Sequence, residues 1–255
     1  MASSNILDHL VYLTDNLQTT KLEFVEAGFT VIDGGKHADG ITENALIVLS
    51  DGVYIELIAY IHGVTKSDHF WGDKKPGWID YACLGVKEQE TGIEEFYEKP
   101  IHGGRTLSDG RKAQWVVSFP IKRYPRGSVP FYCQDKTPRE IRVPLNKSEH
   151  SNNVKRVKSL ILLCNETALK ASVLLYNSIL QQLPHHQSEQ KVVYKLKSPA
   201  NSQIELILRT PVSPEEEAHV FANHGDCIQS IEVEGAKTSS TLKPSNGGGQ
   251  LIMTC

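Results

Sequence analysis

Apolar positions come in short bursts along this chain, broken by glycine, proline and polar clusters, which is the pattern of a strand-rich α+β protein. Residues 6–12 alternate loosely and predict a strand. Thr14, Asp15 and Asn16 offer an N-cap to a helix over 17–27, spaced at Leu17, Leu22, Phe24 and Val25 and stopped by Gly28. Residues 29–32 read as a short strand and Gly34-Gly35 as a turn. Residues 45–49 and 53–59 read as a hairpin around Ser50-Asp51-Gly52. The unit is one strand, one helix and three strands: βαβββ.

The same order recurs. A strand over 78–85, a short amphipathic helix over 91–98 and strands over 113–119 and 129–133 make a second unit, in which IDYACLG from Ile79 aligns with LDHLVYL from Leu7. A third opens on VKSLILLC from Val157, runs through a helix from Glu166 to about Gln181 and closes on QIELIL from Gln203. That last stretch repeats YIELIA and sets Glu205 on Glu56, and the spacing agrees: 47 residues from His9 to Glu56, 46 from Ser159 to Glu205. A fourth unit, 227–255, has strands at IQSIEVEG and QLIMT but is too short for its helix; Glu215–Glu217 after Pro214 read as the acidic first turn of a separate helix. The units pair as domains 1–146 and 150–255, with the polar LNKSEHSNN as the seam. The expected fold is α+β: tandem βαβββ modules forming two paired, cupped antiparallel sheets with flanking helices, the sheets facing one another across a cavity.

Composition narrows the function. The chain has 255 residues, 40% hydrophobic and 22% charged, ordinary globular material for two modest domains. A net charge of −3 gives no electrostatic reason to expect nucleic acid or an anionic membrane. No apolar run reaches the roughly 18 residues of a membrane span, and MASSNILDHL lacks the regions of a signal peptide, so the expected compartment is the cytoplasm, with the nucleus open. The five cysteines are scattered and never spaced CxxC, which suits reduced thiols better than disulfides or zinc; the sequons at Asn146 and Asn165 then carry no meaning. Phosphate-cradling, dinucleotide, nucleophile-elbow and paired-histidine metalloprotease motifs are all missing.

Chemistry concentrates between Gly34 and Tyr60. Glu56 sits inside an otherwise apolar strand, where a carboxylate is costly unless a cation, a metal or hydrogen-bond donors meet it. His37, in the loop after Gly34-Gly35, is a candidate general base, with Asn44 close to the same sheet. Arg105 is a candidate clamp for a substrate carboxylate, or the cation that answers Glu56. Trp115 is a candidate cavity wall or a core residue. Asp109 with Gly110 reads first as a turn. His69, Trp71 and Trp78 suit an entrance loop or a linker anchor, while His150, His185 and His186 fall in polar connectors.

Paired βαβββ units of this kind, with DHLVYL, AGFTVIDGGKHADGITENALIVLSDGVYIELIA, GRTLSDGRKAQW and VPFYC, resemble the glyoxalase-like domain family of the vicinal oxygen chelate superfamily, which includes glyoxalase I and the extradiol dioxygenases. The resemblance is strongest over residues 6–115. It implies a cup around a divalent metal, with His9 and Glu56 as the ligands from the first module and Zn, Fe, Mn or Ni as candidate ions. The alternative is a satisfied core histidine and a Glu56 paired with arginine. In the second module the alignment offers Tyr81 for His9 and Cys133 or Gln134 for Glu56; in the third, Ser159 replaces the histidine. A complete four-ligand set is therefore not expected. The resemblance implies a small oxygenated metabolite in the N-terminal cup; from the residues themselves, Asn44, Asp109, Trp115 and Tyr81 are the expected substrate contacts and His37 and Arg105 the expected catalytic residues. A metal-assisted lyase, isomerase or dioxygenase-type reaction stands beside a ligand-sequestering module without turnover, and beside a scaffold for a homodimer.

Overall fold

The computed structural model describes residues 5–67, 69–85, 96–107 and 109–255. β1 (Leu7–Leu13) is buried along its whole length. The Asn16 side chain accepts from the Thr19 amide and starts α1 (Leu17–Glu26), which buries Phe24. β2 (Ile32–Lys36), β3 (Thr42–Val48) and β4 (Tyr54–Tyr60) complete the first module. β2 therefore starts three residues later than the sequence pattern suggests, and Gly34-Gly35 lie within it, not in a turn. Asp51 holds the β3–β4 turn by accepting the Val53 amide, and its other oxygen takes the amide of Val157 in the second half of the chain.

The second module supplies β5 (Gly77–Leu84), β6 (Ile101–Thr106), β7 (Lys112–Ser118) and β8 (Phe131–Asp135), followed by the short α2 (Arg139–Arg142). Most of the helix expected over 91–98 lies outside the described residues. The eight strands form one sheet in the order β2-β3-β4-β1-β5-β8-β7-β6. β1 with β4 and β5 with β8 run parallel, and the other neighbours run antiparallel. The sheet curls until its two edges meet: His37 bridges Arg105, and the Ala38 amide donates to the Gly104 carbonyl at 2.9 Å. Val11, Leu13, Ile58, Ile79, Ala82 and Phe131 fill its interior.

The remaining chain forms β9 (Arg156–Leu163), α3 (Glu166–Leu180), β10 (His186–Gln187), β11 (Lys191–Lys197), β12 (Gln203–Arg209), α4 (Pro214–Ala222), β13 (Cys227–Glu234), β14 (Ser240–Leu242) and β15 (Gln250–Thr254). Its seven strands lie in the order β10-β11-β12-β9-β13-β15-β14. α4 is the helix signalled by Pro214 and Glu215–Glu217. No helix among the described residues is long and apolar enough to cross a membrane.

The space between the sheets is solid. Leu7, Leu10, Tyr12, Tyr81 and Cys83 of the first sheet pack with Val157, Leu160, Leu162 and Ile231 of the second and with Tyr176 and Ile179 of α3. The cavity expected between two facing sheets lies instead inside the curl of the first. The reason is the alternation of strand faces: residues one apart on β1 point either into the curl or into this shared core.

Strand register also revises the internal alignment. Leu7 faces Cys83 as Trp78 faces Tyr12, His9 faces Ala82 as Asp80 faces Val11, and Leu10 faces Tyr81 on the axis between them. Asp8 and Ile79 are the matching extra residues at the two irregularities. The second-module counterpart of His9 is thus Asp80, and Tyr81 matches Leu10. A slip of one residue moves a side chain to the opposite face. In parallel register Val11 neighbours Glu56 while Ala82 neighbours Phe131, so Phe131 takes the place of Glu56, not Cys133 or Gln134. In the second sheet Ser159 does match His9, but it neighbours Glu205 where His9 neighbours Tyr54; the counterpart of Glu56 is Ile207.

The loop at Gly247-Gly248-Gly249 lies against β5, with the Trp78 amide donating to the Gly248 carbonyl at 3.3 Å. A Cβ on Gly247 would stand 2.4 Å from the Tyr12 hydroxyl and 2.7 Å from the Gly77 nitrogen. Gly247→Ala is expected to cost about 2 kcal/mol through overpacking and to lower the melting temperature by about 4–8 °C. Thermal unfolding that matches wild type would show that this contact does not hold the loop to the first sheet.

Candidate functional site

The irregularity at Asp8 buries a carboxylate beneath β1, and two arginines of α2 answer it. Arg142 donates from Nη1 to Asp8 at 2.9 Å and to the Tyr54 hydroxyl at 2.8 Å, while Arg139 Nη1 lies 2.6 Å from the other Asp8 oxygen. Arg142 also grips Asp135, through Nη2 at 2.9 Å and Nε at 2.5 Å. Burial would raise the Asp8 carboxyl, but Arg142, with His9 and Arg139, holds it well below its ordinary value. The fixed anion in turn takes His9 Nδ1 at 2.8 Å. His9 stacks on Tyr54 with ring centroids 4.6 Å apart and meets the edge of Phe131, so its Nε2 is aimed into the curl.

Glu56 stands opposite. Its Oε2 is 3.7 Å from His9 Nε2 and its Oε1 is 3.5 Å from His37 Nε2. The Asn44 amide donates to Oε1 at 2.5 Å and lies 3.3 Å from His37 Nε2, while His37 Nδ1 lies 2.6 Å from Thr42 Oγ1. One assignment gives each of these hydrogens an acceptor: the Asn44 amide gives one to Glu56 and one to His37 Nε2, and His37 Nδ1 donates to Thr42. Burial pushes the Glu56 carboxyl up, but His37 in its protonated form, with His9 and Asn44, brings it down to about 2. Gly34 makes room for this arrangement, since a Cβ there would sit 1.9 Å from Asn44 Oδ1.

These groups form the polar end of a cavity of about 150 Å³ inside the curl. Most of its remaining wall is apolar, from Phe70, Trp71, Trp115, Val117, Phe119 and Phe131, with Asp39, His69 and His102 also on it. Arg105 reaches in from β6, its Nη2 donating to the Arg142 carbonyl at 2.8 Å and its Nη1 lying 3.5 Å from Asn44 Oδ1. The expected answer to Glu56 is therefore not Arg105 but the amide and the two imidazoles.

Of the residues expected from sequence, His9, Glu56, His37, Asn44, Arg105 and Trp115 come together in this cavity. Tyr81 does not; it points into the core between the sheets, where its hydroxyl lies 2.6 Å from that of Tyr176. Asp109 is also elsewhere, on the surface, paired with Arg111 at 2.7 Å. Trp71 and His69 line the cavity, and burial takes the His69 imidazole down to about 4. Trp78 belongs to the shared core, and His150 is built into the seam, accepting the Thr30 amide at 3.0 Å. Sequence reasoning misses Asp8, Tyr54, Asp80 and Arg142. The signal that would have found Asp8 and Asp80 is the same as for Glu56, a carboxylate inside an apolar strand.

Asp80, at the place corresponding to His9, is fully buried under Trp71, whose indole donates to it at 2.8 Å. Phe131, corresponding to Glu56, offers no donor atom. Among the described residues no group of three or more His, Cys, Asp or Glu side chains is arranged to hold a metal ion. His9, His37 and Glu56 converge, but as a hydrogen-bonded cluster with an amide on Oε1. An ion shared among all three would have to displace the Asn44 donor, whereas His9 Nε2 and Glu56 Oε2, 3.7 Å apart and clear of Asn44, are the pair that would hold the divalent metal that the resemblance implies, with water at its other positions.

The sequence profile of the glyoxalase-like domain matches residues 7–174. Among solved structures, a hypothetical protein from Staphylococcus aureus is similar over 98% of this chain and 99% of its own, with a TM-score of 0.74 and 13% identity. A mutant of 4-hydroxymandelate synthase from Streptomyces coelicolor is similar over 92% of this chain and 71% of its own, with a TM-score of 0.57 and 10% identity. A xylose isomerase-like TIM barrel/4-hydroxyphenylpyruvate dioxygenase fusion protein is similar over 91% of this chain but only 36% of its own, with a TM-score of 0.53 and 14% identity. No curated protein matches at the sequence level.

Glu56 titrates near 2 in the folded chain against an ordinary 4.5. Its ionised form therefore stabilises the fold fully above about pH 4.5, and that contribution is lost as pH falls towards 2. A difference of this size corresponds to about 3 kcal/mol. The urea midpoint of the wild type should fall across this window more steeply than that of Glu56→Gln; parallel acid limbs would show that the carboxylate is not held in this way.

Proposed function

This chain belongs to the glyoxalase-like domain family of the vicinal oxygen chelate superfamily, and from that premise we propose that the cup of its first sheet is a catalytic pocket for a small oxygenated metabolite, in which His37 moves a proton. The observation that carries this reading is the placement of one buried carboxylate between two imidazole Nε2 atoms, at 3.7 and 3.5 Å, at the polar end of an otherwise apolar cavity. A carboxylate held near 2 is a poor base at neutral pH, since proton transfer is most effective when the pKa lies close to the working pH. That role falls to an imidazole. His37 is the better placed of the two: its Nε2 is an acceptor met only by a long 3.3 Å contact from the Asn44 amide, which a substrate would displace, its side chain keeps 15% of its exposure against 5% for His9, and its ring is set by Thr42.

Glu56 and His9 then serve the charge that develops. Glu56 stabilises a protonated His37, and His9, as an imidazolium with its Nδ1–H on Asp8, presents its Nε2–H to a substrate oxygen. The apolar walls exclude water and strengthen both interactions. The chemistry is proton transfer next to a carbonyl, of the isomerase or lyase type, as in an α-hydroxycarbonyl compound.

Incubating the protein in D₂O with a panel of α-hydroxycarbonyl and 2-oxo compounds, with NMR as readout, should reveal exchange at the acidic carbon. His37→Ala should slow it by about 10²- to 10⁴-fold, and Glu56→Gln should also reduce it. Binding without exchange would leave a sequestering module instead of an enzyme. Metal analysis of wild type, His9→Ala and Glu56→Ala completes the test: a stoichiometric divalent ion lost in both variants would replace the metal-free reading.

A further inference from the structure

Among the described residues that line the cavity, Arg105 is the cation that this proton chemistry leaves without a task. Its residue is 5% exposed, so its charge is effectively withdrawn from water. Its Nη2 is spent on a backbone carbonyl and its Nη1 makes a long contact to an amide oxygen, while Nε, itself buried, has no partner among the described residues. No carboxylate among the described residues forms an ion pair with it. The nearby anion, Glu56, is already met by Asn44, His37 and His9. Burial accordingly lowers the guanidinium from its ordinary value. A buried cation lacking its counter-charge is costly, and its unfilled N–H adds to that cost.

The remaining walls say what else the ligand carries. Trp115, Phe119, Phe131 and Phe70 offer ring surfaces and no hydrogen-bonding partner apart from the Trp115 indole. A volume of about 150 Å³ is that of a cavity that takes one six-membered ring. A phosphate would bring a second negative charge beside Glu56, which the single charge of Arg105 does not balance. The cup is mismatched to it.

We propose that the ligand of this cup is a small monocarboxylate bearing one planar apolar group, its carboxylate on Arg105 and its ring against the aromatic walls. The inference rests on the reading of the cup as a small-molecule site and adds the chemistry of the molecule. It also orders the two ends: the carboxylate at Arg105 leaves the adjoining carbon and oxygen for His37 and His9.

Benzoate is a direct probe, compared with its neutral isostere benzamide and with inorganic phosphate by calorimetry on the full chain. Benzoate is expected to bind about 10- to 100-fold more tightly than benzamide, the range of one charge-assisted hydrogen bond. Arg105→Gln should remove that preference and leave benzamide binding little changed, and Arg105→Lys, which keeps the charge, should retain part of it. Circular dichroism checks that both variants fold, and the wild-type comparison stands without them. Equal binding of benzoate and benzamide overturns the carboxylate assignment while leaving the cup a small-molecule site. Phosphate binding in preference to benzoate overturns the ring and the single charge together. Binding of neither ring compound overturns the inference and the reading of the cup beneath it.

Discussion

Arg142 is the constraint on which the rest of the site depends. It is almost wholly buried, and it ties three parts of the first domain together: Asp8 on β1, Tyr54 on β4 and Asp135 on β8. Burial would lower its pKa, yet Asp8 first among its partners raises it well above the ordinary value, so the charge is retained. Such a pair is weak evidence for net stability, because desolvation offsets most of the attraction, but removing one partner leaves an uncompensated buried charge. Its consequence here is orientation. Asp8 fixes His9, Tyr54 stacks on His9, and the carbonyl of Arg142 fixes Arg105. Two cavity residues, one on the central β1 and one on the edge strand β6, are thereby set by one guanidinium and its own backbone.

The two halves of the chain share this scaffold but use it differently. The first sheet closes on itself at His37 and Arg105 and so encloses a space. The second stays open, and the places that correspond to the site hold Ser159 and Ile207, with Ser159 donating to Glu232 at 3.0 Å. Its other face is the one with structural work, packing against Leu7, Leu10 and Tyr12 through Leu160, Leu162 and Ile231. The halves are thus joined through a common core, and the second supports the back of the strand that carries His9.

How much of this is legible in the sequence follows from distance along the chain. Glu56 stands out because a carboxylate in an apolar strand demands a partner, and His37 and Asn44 lie close enough in sequence to be read with it. The βαβββ order is legible for the same reason, since each unit is local. Arg142 is not legible, because its partner Asp8 lies 134 residues away and nothing in PREIRVP marks a buried cation. Tyr81 is misplaced by a single residue: the letters of IDYACLG align well with LDHLVYL, but the irregularities at Asp8 and Ile79 shift the true correspondence and flip the face. Glu205 is misplaced by two residues, which preserves the face but not the neighbour, so the resemblance of QIELIL to YIELIA reflects strand composition and not a shared role.

The corrected register explains why the cup has two unlike ends. Two-fold related modules present equivalent positions to the same space, and here the equivalents differ in kind: His9 against an Asp80 sealed under Trp71, and Glu56 against Phe131. The first module consequently supplies the acid–base groups and the second an aromatic wall. Arg105 is the exception, reaching from the second module across the closing edge to the polar side. Had the second module kept a carboxylate at Phe131, with Asp80 open to the cavity, the enclosed space would be ringed by charged oxygens and would demand a cation to be stable. With an aromatic ring there instead, Glu56 is already balanced by the imidazoles and the Asn44 amide, and Asp8 by Arg142. The low-dielectric wall then sharpens the polar end, since each interaction there is stronger for having no water beside it. The difference between the modules, more than any single residue, gives the cavity its direction.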